Sequence, residues 1–469
     1  MVRPRPTVRS AAAVLAAGAL AACAVGPNYH RPTAPTPPAF KEANGWVPAQ
    51  PSDAADRRDW WTVFDDPTLN DLEKQVEVSN QNLAAAEAAY RAAHALVAEQ
   101  RASLFPAVTL NGSAADTHTG GVGTSQSYRL SLGASWEPDI WGKIRRTVEN
   151  ARAGAQVSAA DLASARLSAQ TELAADYILL RQLDQQKRMD DATVDGYTRS
   201  LTITQNKYRA GIVTRSDVAS AQTQLLTAQA NDADLEQQRA KTEHAIALLV
   251  GKPPADLTIA PAPWSLAPPQ IPASLPATLL QRRPDIAAAE RQAAAASANI
   301  GVQTAGYFPA LSLTGSAGGA AGELSQLFAA SSSFWTLGAS VAQTVFDAGA
   351  THARVSQARA TYDQSVAQYR QTVLTAFGQV EDDLAAQRVL AGESQLRRQA
   401  VAAAAENLRV VSNAYKAGQV DYTTVVVAQA SLLSAQNTEL QMEGSRLTTA
   451  VDLIAALGGG WSDAQLPKD

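Results

Sequence analysis

One cysteine, five histidines and 44 acidic side chains are the first places to look for metal-binding or acid–base chemistry in this 469-residue chain. A single thiol makes no intramolecular disulfide and no thiolate metal cluster. Its position is more informative than its number. Arg3, Arg5 and Arg9 precede an apolar run over 11–20, the layout of a secretory signal. That run is too short to span a bilayer, which takes about 20 apolar residues. It ends in Leu20-Ala21-Ala22-Cys23, which looks like a lipobox. Residues 1–22 would then be cleaved, and Cys23 acylated on sulfur and on its new amino terminus. Three acyl chains, at roughly 0.8 kcal/mol per buried CH₂, make a firm anchor. Ala24 rather than Asp follows the cysteine, which points to the outer membrane. The plainer alternative is an ordinary signal peptide with an incidental free thiol.

The other reactive residues form no constellation. His30, His94, His118, His244 and His352 lack metal-ligand spacing, and no GxSxG, HExxH or phosphate-binding glycine loop occurs. No catalytic residue, metal or cofactor is assigned. Most carboxylates lie on helical stretches, where a solvated face accounts for them. A net charge of -5 and a pI near 5.7 offer no basic stripe for nucleic acid. No later stretch offers 18 uninterrupted apolar residues, so any membrane crossing has to be made by strands closed into a barrel.

The elements follow from an internal repeat with a period just above 200 residues. Phe105-Pro106-Ala107-Val108 returns as Phe308-Pro309-Ala310-Leu311, and Leu132-Gly133-Ala134-Ser135 as Leu337-Gly338-Ala339-Ser340. Residues 208–229 align without gaps on 415–436, with eleven of twenty-two positions identical. Each copy reads helix, two strands, long helix, turn, helix. Helical signals fill 69–103, 143–209 and 215–250, then 284–305, 350–416 and 422–457. The stretches from Lys143 and Ala350 hold no proline and reach roughly 100 Å at 1.5 Å per residue. Val355, Tyr362, Val366, Tyr369, Val373, Ala376 and Val380 step at coiled-coil spacing. Periodicity of this kind suits an ordinary helical bundle equally well.

The strands separate the readings. Tyr128, Leu130, Leu132 and Trp136 alternate with Ser127, Arg129, Ser131 and Ser135. Trp335, Leu337 and Val341 alternate with Thr336, Gly338 and Ser340. One face is apolar and lipid-compatible, the other small and hydroxylated like a water-filled lumen. Strands are expected at 107–115, 127–137, 310–318 and 334–342, with exposed loops over 116–126 and 319–334. Four strands close no barrel, since the smallest outer-membrane barrels use eight, and unpaired edges facing lipid are costly. The chain must oligomerise.

With these features in place, the sequence resembles the outer-membrane factor family, the TolC-like exit ducts of tripartite efflux pumps and type I secretion systems. It is most similar to the lipoprotein efflux branch that works with RND-type pumps. The likeness rests on Cys23-Ala24-Val25-Gly26-Pro27-Asn28-Tyr29, Trp60-Trp61, Asp66-Pro67, Arg282-Arg283-Pro284-Asp285-Ile286, Tyr415-Lys416-Ala417-Gly418 and Ala456-Leu457-Gly458-Gly459-Gly460-Trp461. It implies a mainly α chain with a transmembrane β-barrel: a duplicated helix–hairpin–long helix–helix unit, trimerised into a 12-stranded barrel on a periplasmic α-helical barrel. The divisions are 23–68, a lipidated and equatorial segment; 69–251, the first repeat; 252–283, a proline-rich equatorial link; 284–458, the second repeat; and 459–469, a tail.

The resemblance also implies a periplasmic adaptor and an inner-membrane transporter as partners. The adaptor would dock on the helix turns at Arg209, Ala210 and Gly211 and at Lys416, Ala417 and Gly418. Candidate gate residues are Tyr208, Asp217, Tyr415, Asp421, Thr424 and Val427. Here the sequence departs from the family, because Val427 stands where aspartate is common. An acidic ring, if built, is shifted to Asp421 and Asp217, and Asp217 suits a helix cap as well. The implied function is passive export of small molecules such as drugs. Protein or metal-ion export is the alternative within the family, and a periplasmic adaptor lipoprotein the alternative outside it. An adaptor would carry one helical hairpin between soluble β modules, which two hairpins and two lipid-compatible strand pairs fit poorly.

Overall fold

The computed structural model describes residues 24–42, 59–120, 123–269 and 281–467. Cys23 and the signal segment lie outside the described residues. The main helices and strands among the described residues run, in chain order, α1 (Pro67–Ser79), α2 (Gln81–Ala102), β1 (Ala107–Thr119), β2 (Gly123–Trp136), α3 (Lys143–Arg209) and α4 (Arg215–Leu249). The second half gives α5 (Pro284–Thr304), β3 (Ala310–Ala321), β4 (Ser333–Ala342), α6 (Ala350–Lys416) and α7 (Tyr422–Ala456). The long helices α3 and α6 each have 67 residues, and α4 and α7 each have 35.

The stretch read as one helix over 69–103 is two. Asn80, with ψ 121°, leaves the helical region. Its side-chain oxygen accepts hydrogen bonds from the backbone N–H of Asn82 (2.9 Å) and Leu83 (3.1 Å), capping α2. Its amide nitrogen donates to the Leu249 carbonyl at 2.7 Å. An asparagine offers the backbone a competing partner, and here that partner wins because the break turns Leu69, Leu72 and Val76 into the core.

The four strands form one antiparallel sheet in the order β1-β2-β3-β4. The first hairpin outruns its expected length. Asp116 pairs with Gln126, Thr117 with Ser125 and His118 with Thr124, so most of the expected 116–126 loop is ladder. Apolar alternation stops there because both faces become polar, while the backbone pairing that alternation cannot report continues. The second hairpin pairs only as far as Gly319 with Ser333, and its connection holds two 3₁₀ turns, Leu324–Gln326 and Ala330–Ser332.

The core sits at the midpoint of the long helices. Around α3 it gathers Trp60, Trp61, Leu69, Leu173, Tyr177, Leu180, Ile246 and Leu447. Around α6 it gathers Phe40, Ile286, Tyr369, Val373, Val380, Leu384 and Leu453. The proline-rich stretches dock at this level. Arg239 Nη2 donates to the Ile259 carbonyl at 2.6 Å, and Arg181 Nη1 to the Ala260 carbonyl at 2.9 Å. Both guanidinium groups converge on the buried carboxylate of Asp184, Arg181 at 2.9 Å and Arg239 at 2.7 Å. On the second repeat, the N–H groups of Lys41 and Glu42 donate to Glu381, and Phe40 meets Phe377 edge to face. The tail turns back along α3, where Gln156 Nε2 donates to the Pro467 carbonyl.

Candidate functional site

A membrane channel needs a wall with an apolar outside and a wet inside. The strand register tests whether the chain builds one. Leu132 lies opposite Leu110 and Ala317, Trp136 opposite Leu313, Trp335 opposite Ala317, Leu337 opposite Gly315 and Val341 opposite Leu311. Side chains on directly paired residues share a face, so Tyr128, Leu130, Leu132, Trp136, Trp335, Leu337 and Val341 lie together on one side. Trp335, Leu337 and Val341 stand 76%, 78% and 68% exposed in the single chain, a large apolar patch facing nothing. Val108 and Leu110 of β1 extend this patch. Sequence reading did not single them out, although the alternation Val108-Thr109-Leu110-Asn111 was there to be used. Leu130 is half-buried, and it lines a shallow pocket with Leu327 and Phe328 of the β3–β4 connection. The opposite face is nearly all Ser, Thr, Gly, Ala and Asn.

The helical rim of the sheet is pinned by aromatic residues. Trp136 Nε1 donates to the Leu104 carbonyl at 3.0 Å. Trp141 stacks on Phe308 at 4.7 Å and donates to the Pro309 carbonyl at 2.8 Å, joining the two repeats. The start of the described chain lies at this rim. Val25 N–H donates to the Trp141 carbonyl, and Arg146 grips the Val25 carbonyl and Asn28 Oδ1.

At the far end, Gly211 (φ 72°) and Gly418 (φ 73°) close the long helices in the left-handed conformation. A Cβ on either would touch nothing, so conformation and not space explains these glycines. Ile212 N–H reaches the Lys207 carbonyl and Gln419 N–H the Ala414 carbonyl, each at 2.9 Å. Arg209, Ala210, Gly211, Lys416, Ala417 and Gly418 are all exposed on the turns.

The candidate gate residues divide into three groups. Tyr208, Thr424 and Val427 are exposed. The two acids serve the helix starts. Asp217 Oδ2 accepts from the Thr214 N–H at 2.8 Å and Thr214 Oγ1 accepts from the Asp217 N–H, a reciprocal capping box. Asp421 caps α7, accepting from Thr424 Oγ1 at 2.7 Å and Thr424 N–H at 3.0 Å. Those bonds hold its carboxyl below the usual aspartate range. Tyr415 packs 5.7 Å from Tyr422, with Lys207 Nζ 3.9 Å from its ring centroid. Two partners went unread in the sequence: Lys207, and Tyr422, whose hydroxyl accepts from Ser200 Oγ at 2.5 Å. Both ties join α3 of the first repeat to the second repeat, 222 residues apart for Ser200 and Tyr422, and no local pattern reports such a pairing.

Among the described residues no cluster of three or more His, Cys, Asp or Glu is arranged to hold a metal ion, and no helix is long and apolar enough to cross a membrane.

Known proteins share this arrangement. The family model described as outer membrane efflux protein matches residues 72–252 and 275–459, one stretch in each repeat. The toluene efflux pump outer membrane protein TtgC of Pseudomonas putida is 32% identical over 458 residues, covering 94% of this chain and 93% of that protein. The pyoverdine export outer membrane protein OpmQ of Pseudomonas aeruginosa is 32% identical over 435 residues, covering 90% and 91%. Among solved structures, the outer-membrane channel OprN superposes with a TM-score of 0.86 at 31% identity, covering 94% of this chain and 100% of that one. The open state of the Neisseria gonorrhoeae MtrE outer membrane channel superposes at 0.84 with 28% identity, covering 94% and 99%. Sequence match, shared fold and a two-faced sheet at the end of a helical column converge: the chain belongs to the outer membrane efflux protein family, channels of the outer membrane with a helical tunnel in the periplasm.

Proposed function

We propose that three copies of this chain close a 12-stranded barrel and serve as the passive exit duct of a tripartite pump for small molecules. The observation that carries this reading is the sheet itself. Four strands present one apolar face and one hydroxylated face, and β1 and β4 each leave an edge unpaired within the chain. Such edges are stable in lipid only when sister chains pair with them.

The internal repeat supports the same closure. Trp141 of the first repeat packs on Phe308 of the second. The corresponding pair across the duplication is Phe346 and Phe105, and these stand 87% and 70% exposed. In a closed ring of alternating repeats, Phe346 of one copy meets Phe105 of the next. Acylation of Cys23 would tether the chain to the inner leaflet of the outer membrane. The exposed Gly211 and Gly418 turns would meet a periplasmic adaptor, and an inner-membrane transporter of RND type would supply the energy. The relatives named for toluene, antibiotic and pyoverdine efflux favour small organic cargo over protein.

Electrophoresis of the membrane-extracted protein with and without boiling tests the assembly. A trimer band that collapses on heating to a protomer somewhat lighter than the 49.2 kDa unprocessed chain is expected. Restored solvent or drug tolerance in a strain lacking its own duct tests the cargo. A water-soluble monomer that confers no tolerance would sink the proposal.

A further inference from the structure

The hydroxylated face of the sheet has two departures, Arg129 on β2 and Phe334 on β4. They meet: the Arg129 guanidinium carbon lies 4.1 Å from the Phe334 ring centroid. The register explains how. Arg129 is opposite Ala320 and Phe334 is opposite Gly318, with β3 running between them. Strands two apart are separated by about 10 Å, so the arginine must lie across β3 to reach the ring. Ala320 and Gly318 leave the way open. A Cβ at Gly318 would collide with the backbone of Leu130 and Ser131, so the sheet curls here in a manner only glycine permits.

The charge held there is permanent and unopposed. Guanidinium stays protonated at every physiological pH. No carboxylate shares this face anywhere in the four described strands. Arg129 stands seven residues from Trp136, roughly 23 Å along the strand, which a tilt of about 35–45° turns into about 16–19 Å of height, in the outer half of an apolar band about 25 Å tall. Tyr128 beside it faces the apolar side, at the level of an outer aromatic girdle.

We propose that Arg129, laid across Gly318 onto Phe334, forms with its copies a cationic ring in the outer part of the lumen, selecting for anionic small solutes as they leave. The ring rests on the three-copy barrel proposed above. Hydroxyl and glycine walls hydrogen-bond without discriminating charge, so a few fixed cations dominate the local potential.

Planar-bilayer recording on the purified oligomer tests it, using a KCl gradient at about 0.1 M and inorganic pyrophosphate as the multivalent probe. The R129Q channel is expected to shift its K⁺-to-Cl⁻ permeability ratio at least about twofold towards K⁺, and R129E further. R129K keeps the charge and should stay near wild type. Pyrophosphate added on the hairpin side should reduce wild-type current and leave R129E unaffected. Both effects should shrink in 1 M salt, where screening falls to about 3 Å. Conducting channels whose permeability ratio and pyrophosphate response are the same in wild type and R129E would overturn the ring while leaving the duct intact. Preparations without any conductance steps would overturn both.

Discussion

The two repeats begin from one plan and end in different surroundings. Their helical hairpins match in length, 67 and 35 residues in each, so equivalent positions differ by 207 throughout. Leu173 and Val380 are both fully buried, as are Tyr177 and Leu384. Yet α3 keeps buried residues from Arg146 to Thr204, whereas those of α6 stop at Ser394. The first repeat finds its neighbours inside the chain, with α3 packed against α2, α4, α5 and α7. In the proposed ring the second repeat finds several of its own on another copy. Duplication supplies the element, and position in the ring decides which faces become core.

The largest expected effect separates the two buried cores around α3 and α6. Tyr177→Ala should cost about 3–5 kcal/mol, since a large buried side chain is lost. It also strands Asp66, which accepts from the Tyr177 hydroxyl at 2.8 Å, and Arg181, which donates to it at 2.9 Å. Leu384→Ala at the equivalent site should cost about 2–5 kcal/mol, with no polar group orphaned. Denaturant unfolding of the detergent-solubilised protein ranks them, and the reverse order would break the equivalence. A second pair sharpens the contrast between inside and between copies. Trp141→Ala should lower the unfolding temperature of the protomer. Phe346→Ala should leave protomer helicity unchanged but lower the temperature at which the oligomer separates on a gel.

The equivalent carboxyls Asp176 and Asp383 offer a third comparison. Burial, then Glu172, pushes Asp176 up to about 6. Burial, then Asp452 and Asp382, pushes Asp383 up to about 7, against the pull of Arg283. Each folded-state value exceeds the ordinary 3.8, so the folded chain holds protons that the unfolded chain releases. Stability is therefore greatest at low pH and falls as pH rises, to about 6 for Asp176 and about 7 for Asp383. Melting temperatures between pH 5 and 8 should decline less in D383N than in D176N, and both less than in wild type. The smallest effect is at the helix starts. Thr214→Ala and Asp421→Ala should each cost about 1 kcal/mol of local helix stability, read as faster amide exchange in the first turn of α4 or α7.

Much of the architecture was legible because it is local and repeated. The bounds of α3 and α6 follow from unbroken, proline-free apolar spacing ending at Gly211 and Gly418. The strand faces follow from two-residue alternation. The Asn80 break was not legible, because asparagine interrupts a helix only when tertiary packing makes the capped alternative better. The outer half of the first hairpin was missed because its ladder carries no hydrophobic signal once both faces are polar. At the tips, the turn glycines were readable from sequence, while the roles of Tyr415, Tyr422 and Lys207 were not.

By itself the sequence determined the duplication, the element order, the membrane-compatible face and the need for sister chains. These are matters of periodicity, chain length and unsatisfied backbone, which act at the range of a few residues or follow from counting strands. The tertiary structure alone decided that Arg129 crosses to Phe334, and that Trp141 is stacked on Phe308 while Phe346 is left bare. Each depends on which residue, tens or hundreds of positions away, folding brings within a few ångströms, and side-chain partners chosen in that way leave no trace in local spacing.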